Sequence, residues 1–156
     1  MLVQWYSNHL RTFIEPLLFN KKIDREIYRF LWLRTFNNPV LIRIEKSNKD
    51  FKLFWKVTNG AGGYKPGNLI LNKEKKITEY DWNSFLKLID ISNFWKMKTV
   101  KVDIPGNDGA QWILEAQSDG KYQVVDRWTP QQGDFYDCCD FLIKLTDLNI
   151  EKKNKY

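Results

Sequence analysis

Two successive segments alternate apolar and polar residues with a period of two, and no other feature of the chain constrains its fold as tightly. Val40, Ile42 and Ile44 alternate with Leu41, Arg43 and Glu45. After a turn at Ser47 to Asp50, Phe51, Leu53, Trp55 and Val57 alternate with Lys52, Phe54, Lys56 and Thr58. Neighbouring side chains of a strand point to opposite faces, so each segment reads as a strand with one face turned to a core. Tyr28 to Phe36 precedes them and is apolar on both faces, as a central strand is. Asn37-Asn38-Pro39 supplies the turn between. Leu69 to Leu71 resumes the sheet beyond a Gly-rich loop at Asn59 to Gly67.

A second hairpin surrounds Asp119-Gly120, and its register is open to argument. A two-residue turn pairs Trp112 with Arg127 and scatters apolar residues over both faces. A three-residue loop, Ser118-Asp119-Gly120, places Trp112, Leu114, Ala116, Tyr122, Val124 and Trp128 on one face. Glu115, Gln117, Lys121, Gln123 and Arg127 then share the other. A one-residue slip decides which face is buried, so the sequence predicts the three-residue loop, with Gly120 left-handed.

Helical spacing appears three times. Leu10, Phe13, Ile14 and Leu17 fall at i, i+3, i+4 and i+7, with Pro16 expected to kink or end that helix. Thr78 and Asp81 form a capping-box pattern ahead of the stripe Trp82, Phe85, Leu86 and Ile89. Cys138, Phe141, Leu142 and Leu145 form the third stripe after Asp134. The prediction is an α+β fold: a mostly antiparallel sheet, a meander plus a C-terminal hairpin, with helices packed on one face. Residues 1–150 are expected to form one domain, and 151–156 a charged, flexible tail. Seven Trp, seven Tyr and ten Phe promise a well-packed core without metal or disulfide.

The formal net charge of +6 suggests nucleic acid, and two features argue against it. Nineteen of the 25 basic residues are Lys, which accompanies 13 Asn and only three Ala, a bias that AT-rich coding produces. Residues 1–102 carry a net +10 and residues 103–150 a net −6, so the halves largely neutralise one another on folding. A nucleic-acid binder more often gathers Arg and aromatics on one face. No apolar run is long enough to span a bilayer, and the first 20 residues lack a cationic start and unbroken apolar stretch. Cys138 and Cys139 are adjacent and give no disulfide framework. A cytoplasmic location is expected, with a periplasmic one open if a signal was removed before Met1.

Catalytic and metal motifs fail on spacing. The loop Asn59-Gly60-Ala61-Gly62-Gly63-Tyr64-Lys65-Pro66-Gly67 lacks the Gly-Lys-Ser/Thr and the following helix of a phosphate loop. It reads either as a wide strand connection or as backbone that approaches a ligand. His9, the single histidine, has no partner motif for a triad or zinc site. Asp103, Asp108, Asp126, Asp134, Asp137 and Asp140 fit caps and turns better than a calcium loop. No cofactor and no metal is expected.

Tyr28-Arg29-Phe30, Ala61-Gly62-Gly63-Tyr64, Asp108-Gly109 with Trp112 and Glu115, and Tyr122 with Asp126-Arg127-Trp128-Thr129-Pro130 are the most distinctive segments. With them the chain, over about residues 25–148, resembles a family of small uncharacterised bacterial proteins. No activity is attached to that family, so the resemblance implies homology and assigns no catalytic role.

The leading functional expectation is a non-enzymatic binding domain for a protein or a small polar ligand. Gly62, Gly63, Tyr64, Arg43, Glu115 and Arg127 are the candidate ligand-binding residues, with Tyr64 closing over an Arg/Glu patch on the sheet. The alternatives are an enzyme of unknown class that uses the same patch, and an immunity-type inhibitor.

Overall fold

The computed structural model describes residues 2–101 and 106–156, so Asp103 and Pro105 lie outside it. The elements run α1 (Leu2–Thr12), β1 (Glu26–Arg34), β2 (Val40–Ser47), β3 (Asp50–Thr58), β4 (Leu69–Lys76), α2 (Glu79–Ser92), β5 (Ala110–Ser118), β6 (Lys121–Trp128) and α3 (Asp134–Leu145). Short 3-10 turns follow at Phe94–Lys96 and Lys152–Asn154. The six strands form one antiparallel sheet in the order β4-β3-β2-β1-β5-β6. This is the α+β architecture that the alternating segments predict. β1 lies near the centre because it is apolar on both faces, and Phe30 pairs with Ile42 on one side and Leu114 on the other.

One face carries Phe30, Trp32, Ile42, Leu53, Trp55, Trp112 and Leu114 beneath α2 and α3. The α2 stripe buries Trp82, Phe85 and Ile89 there. Each fully buried side chain of this kind contributes roughly 1.5–3 kcal/mol. The predicted capping box is present: Asp81 N–H donates to Thr78 Oγ1 at 3.0 Å, and Thr78 N–H to Asp81 Oδ2 at 3.2 Å. Cys138 and Cys139 are both free and buried.

The opposite face is covered too. Leu10 and Phe13 of the N-terminal segment pack on Leu31, Leu33, Leu41 and Ile113. Two helices therefore lie on the expected face, and α1 lies on the other. The helical stripe expected to continue through Ile14 and Leu17 stops short of both. α1 ends at Thr12, and Ile14 and Leu17 are 76% and 60% exposed. Left-handed Ile14 closes the helix, and Pro16 just beyond it cannot continue one.

The second hairpin departs from the predicted register. Ser118 pairs with Lys121 and Trp112 with Arg127, so the turn has two residues. Asp119 and Gly120 take φ 50° and 73°, the type I′ geometry that suits the right-handed twist of a hairpin. Gly120 is left-handed as predicted, but Trp112 and Trp128 face opposite ways. The prediction failed because it assumed one buried face. With α1 and the residues after it on the far side, apolar residues on both faces of the hairpin are satisfied.

The segment 151–156, expected to be a flexible tail, is docked. Trp32 Nε1 and Trp112 Nε1 donate to the Tyr156 main-chain oxygen at 2.8 and 3.0 Å. The Tyr156 hydroxyl donates to Asn37 Oδ1 at 2.6 Å. Two buried indoles need acceptors, and a charged sequence says nothing about its main-chain carbonyls. No helix among the described residues is long and apolar enough to cross a membrane.

Candidate functional site

The end of α1 organises the far face of the sheet. Ile14 N–H donates to the Arg11 carbonyl and Glu15 N–H to the Leu10 carbonyl, each at 3.0 Å, the paired bonds of a Schellman cap. Glycine normally occupies the left-handed position of such a cap. Here Ile14 takes it, at φ 56°. The reversal turns Glu15 back beneath the helix, where its side chain is fully shielded.

Three cations converge on that carboxylate. Lys56 Nζ donates to Oε1 at 2.7 Å, and Arg43 Nε to Oε2 at 3.0 Å. Arg29 Nη1 lies 3.4 Å from Oε2 and donates to the Pro16 carbonyl at 2.6 Å. Arg29 also pairs with Glu115, and Arg43 with Glu45. Burial pulls the Arg29 guanidinium down, but Glu115, Tyr6 and Glu15 together hold it above its usual range. Arg29, Arg43 and Lys56 thus face Glu15, Glu45 and Glu115, and the partly exposed Arg25 adds a fourth cation 3.5 Å from Glu45. Such a cluster holds together only while every member stays matched.

Next to the cluster an open cleft of about 360 Å³ lies between the N-terminal segment and the β5–β6 hairpin. Its volume falls within the usual range for small-molecule sites. The floor comprises Gln111, Ile113 and Glu115 from β5, and Tyr122, Val124 and Asp126 from β6. Ile113 sits opposite Asp126, and Glu115 opposite Val124. The middle of the floor is therefore aliphatic and its two ends are polar. Trp5, Tyr6 and Leu10 of α1 and Leu17, Leu18 and Phe19 line the remaining sides, with Thr99 and Val100 at one end. The Phe19 ring meets Tyr122 edge-on, with centroids 5.2 Å apart, although Phe19 is 65% exposed.

The polar ends differ. Glu115 accepts from both Arg29 and the Tyr122 hydroxyl. Burial and the Glu115 charge hold the Tyr6 and Tyr122 phenols well above their usual range, so both remain protonated donors. Asp126 accepts from Gln111 Nε2 at 3.2 Å. Burial pushes its carboxyl up to about 6, against the pull of Arg127.

The six predicted residues do not converge on one site. Arg43 and Glu115 share the far face, both in the ion cluster, and Glu115 alone also lines the cleft. Arg127 points to the other face. Its guanidinium donates to the Lys98 and Thr99 carbonyls at 3.0 and 3.2 Å and lies over Phe135. Gly62 and Gly63 donate to the Asn37 and Thr35 carbonyls at 3.1 and 3.2 Å, which pins the Gly-rich loop across the end of β1. A Cβ at Gly62 would stand 2.5 Å from the Arg34 carbonyl oxygen, so that glycine answers to chain crossing. Tyr64 is 64% exposed and leans on Phe36.

Sequence reasoning missed Glu15, Lys56, Tyr122 and Asp126. The Asp119-Gly120 pair carried the signal for the last two, because a type I′ turn puts Glu115, Tyr122 and Asp126 on one face. Among the described residues no group of three His, Cys, Asp or Glu is placed to hold a metal. No protein-family model matches the chain, and no curated protein matches it either.

Proposed function

We propose that this chain is a non-enzymatic binding domain whose ligand is a small amphiphile seated in the cleft between α1 and the β5–β6 hairpin. The observation that carries this reading is the cleft itself: about 360 Å³, lined mainly by aliphatic and aromatic side chains, with Glu115 and Asp126 toward opposite ends of its floor and Tyr6 and Ser7 on the α1 side. Binding sites for small molecules share that plan, a mostly apolar hollow with a few polar groups that fix orientation. Binding is favoured over catalysis because Arg29, Arg43, Glu15 and Glu45 are matched against one another beneath α1. An enzyme working from the Arg/Glu patch needs those groups free to meet a substrate.

The test is fluorescence of Nile red, an uncharged probe that brightens in apolar surroundings. Saturable brightening is expected with the native chain. Val124→Trp, which fills the middle of the floor, should abolish it. Phe19→Ser, a change at a largely exposed wall, should weaken it while leaving the circular dichroism spectrum unchanged. No saturable signal, or equal signal from all three proteins, would overturn the proposal.

A further inference from the structure

The cleft has a chemical sign. None of its lining residues is Lys, Arg or His, and two are carboxylates. Glu115 is already neutralised by Arg29, and its two oxygens accept from Arg29 and Tyr122. Asp126 has no ion pair among the described residues, and Gln111 reaches only its Oδ2. Among the described residues, one carboxylate oxygen at one end of the apolar floor therefore has no hydrogen-bond donor, and Arg127, which pulls on Asp126, does not line the cleft. A carboxylate confined in a partly apolar hollow is costly unless a cation or donor meets it.

The walls agree with that sign. Trp5, Phe19 and Tyr122 bring aromatic rings to the same cleft, and the faces of such rings attract cations. The chain's net charge of +6 acts against a cation from afar. Screening limits that repulsion to about 8 Å at physiological salt, so the groups inside the cleft decide.

We infer that the cleft selects an organic ammonium: an amine whose cationic head rests on Asp126 and whose apolar tail crosses Ile113 and Val124 toward Phe19. The inference rests on the reading of the cleft as a ligand site and adds the identity of the head group. An ammonium offers three donors to a carboxylate, and its alkyl stem continues into apolar space. A carboxylate-headed amphiphile meets repulsion at the same place.

Three probes with the same tail separate the two claims: octylamine, octanol and octanoate, titrated calorimetrically into the full chain at mildly alkaline pH. Octylamine is expected to bind about tenfold more tightly than octanol, the factor that ~1.4 kcal/mol of head-group interaction gives. Octanoate should be the weakest of the three. Asp126→Asn keeps the side-chain shape and should bring octylamine down to the affinity of octanol for the same variant. Octanol that binds as well as octylamine in the native chain, or an amine preference that survives Asp126→Asn, overturns the head-group inference and leaves the ligand site standing. No binding by any of the three overturns both.

Discussion

Lys56 Nζ lies 2.7 Å from Glu15 Oε1, so an interior strand of the sheet is tied to the turn that ends α1. Glu15 is also the shared partner of Arg29 and Arg43. Glu15→Gln keeps the shape and removes the carboxylate that Arg29, Arg43 and Lys56 share, which leaves unmatched positive charge beneath the helix. Breaking a buried pair this way costs about 3–5 kcal/mol. Urea denaturation should show that loss. Adding Lys56→Met to Glu15→Gln should recover part of it, because the unmatched charge leaves with its partner.

His9 is fully buried, its ring edge-on to Trp5 with centroids 5.0 Å apart, and neither ring nitrogen has a hydrogen-bond partner among the described residues. Burial pushes it down from 6.5 to about 4. The unfolded chain therefore binds the proton more readily between those values. The corresponding stability is complete above pH 6.5 and is lost as pH falls toward 4, to a limit of about 3 kcal/mol. His9→Leu should flatten that window in denaturation curves taken across it. At neutral pH the variant should be at least as stable as the native chain, because two unpaired polar atoms leave the core. An unchanged pH dependence would rule out this account of His9.

Asp126 shifts the opposite way, and the sign reverses with it. Its carboxyl rises from 3.8 to about 6, so the folded chain holds the proton more tightly than the unfolded one. The fold gains stability as pH falls from 6 toward 4 and carries the full penalty above 6. Asp126→Asn should stabilise the chain by about 1–2 kcal/mol at neutral pH, after discounting for partial exposure. That gain should fade to nothing in acid. Comparing both variants at two pH values separates this group from His9.

Gly62→Ala tests whether the Gly-rich loop is built for chain crossing or for a ligand. The added carbon meets the Arg34 main chain at 2.5 and 2.6 Å, so something must move. The expected cost is about 2 kcal/mol. Gly63→Ala, whose closest neighbour is the Thr35 side-chain methyl at 3.0 Å, should cost less. Tyr64→Ala, at an exposed position, should fall within about 0.5 kcal/mol of the native chain. Loss of ligand binding in Tyr64→Ala with stability intact would restore the loop as a site.

Local patterns in the sequence were enough for the strands, the capped α2 and the α3 stripe. Trp82, Phe85 and Ile89 are buried where helical spacing puts them. Thr78 and Asp81 cap the helix as their types require. The site was less legible, because it depends on what covers the sheet. Arg43 and Glu115 are polar-face positions by alternation, yet nothing local says that Glu15 comes back to meet Arg43. That return needs a left-handed Ile14, a conformation that composition argues against. With the far face taken as solvent-exposed, the apolar pattern chose the wrong hairpin register. That single step hid Tyr122 and Asp126.

The strand order has a consequence for the growing chain on the ribosome. β1 pairs with β2 on one side and with β5 on the other, and the Arg29–Glu115 bond across that second junction spans 86 residues. From the moment β2 closes until Ala110–Ser118 has been made, β1 is an open edge with Phe30, Leu31 and Trp32 along it. An unpaired apolar edge is what another chain can add to. The emerging polypeptide therefore passes through a window in which the strand that ends at the heart of the sheet stands open to pairing with another chain.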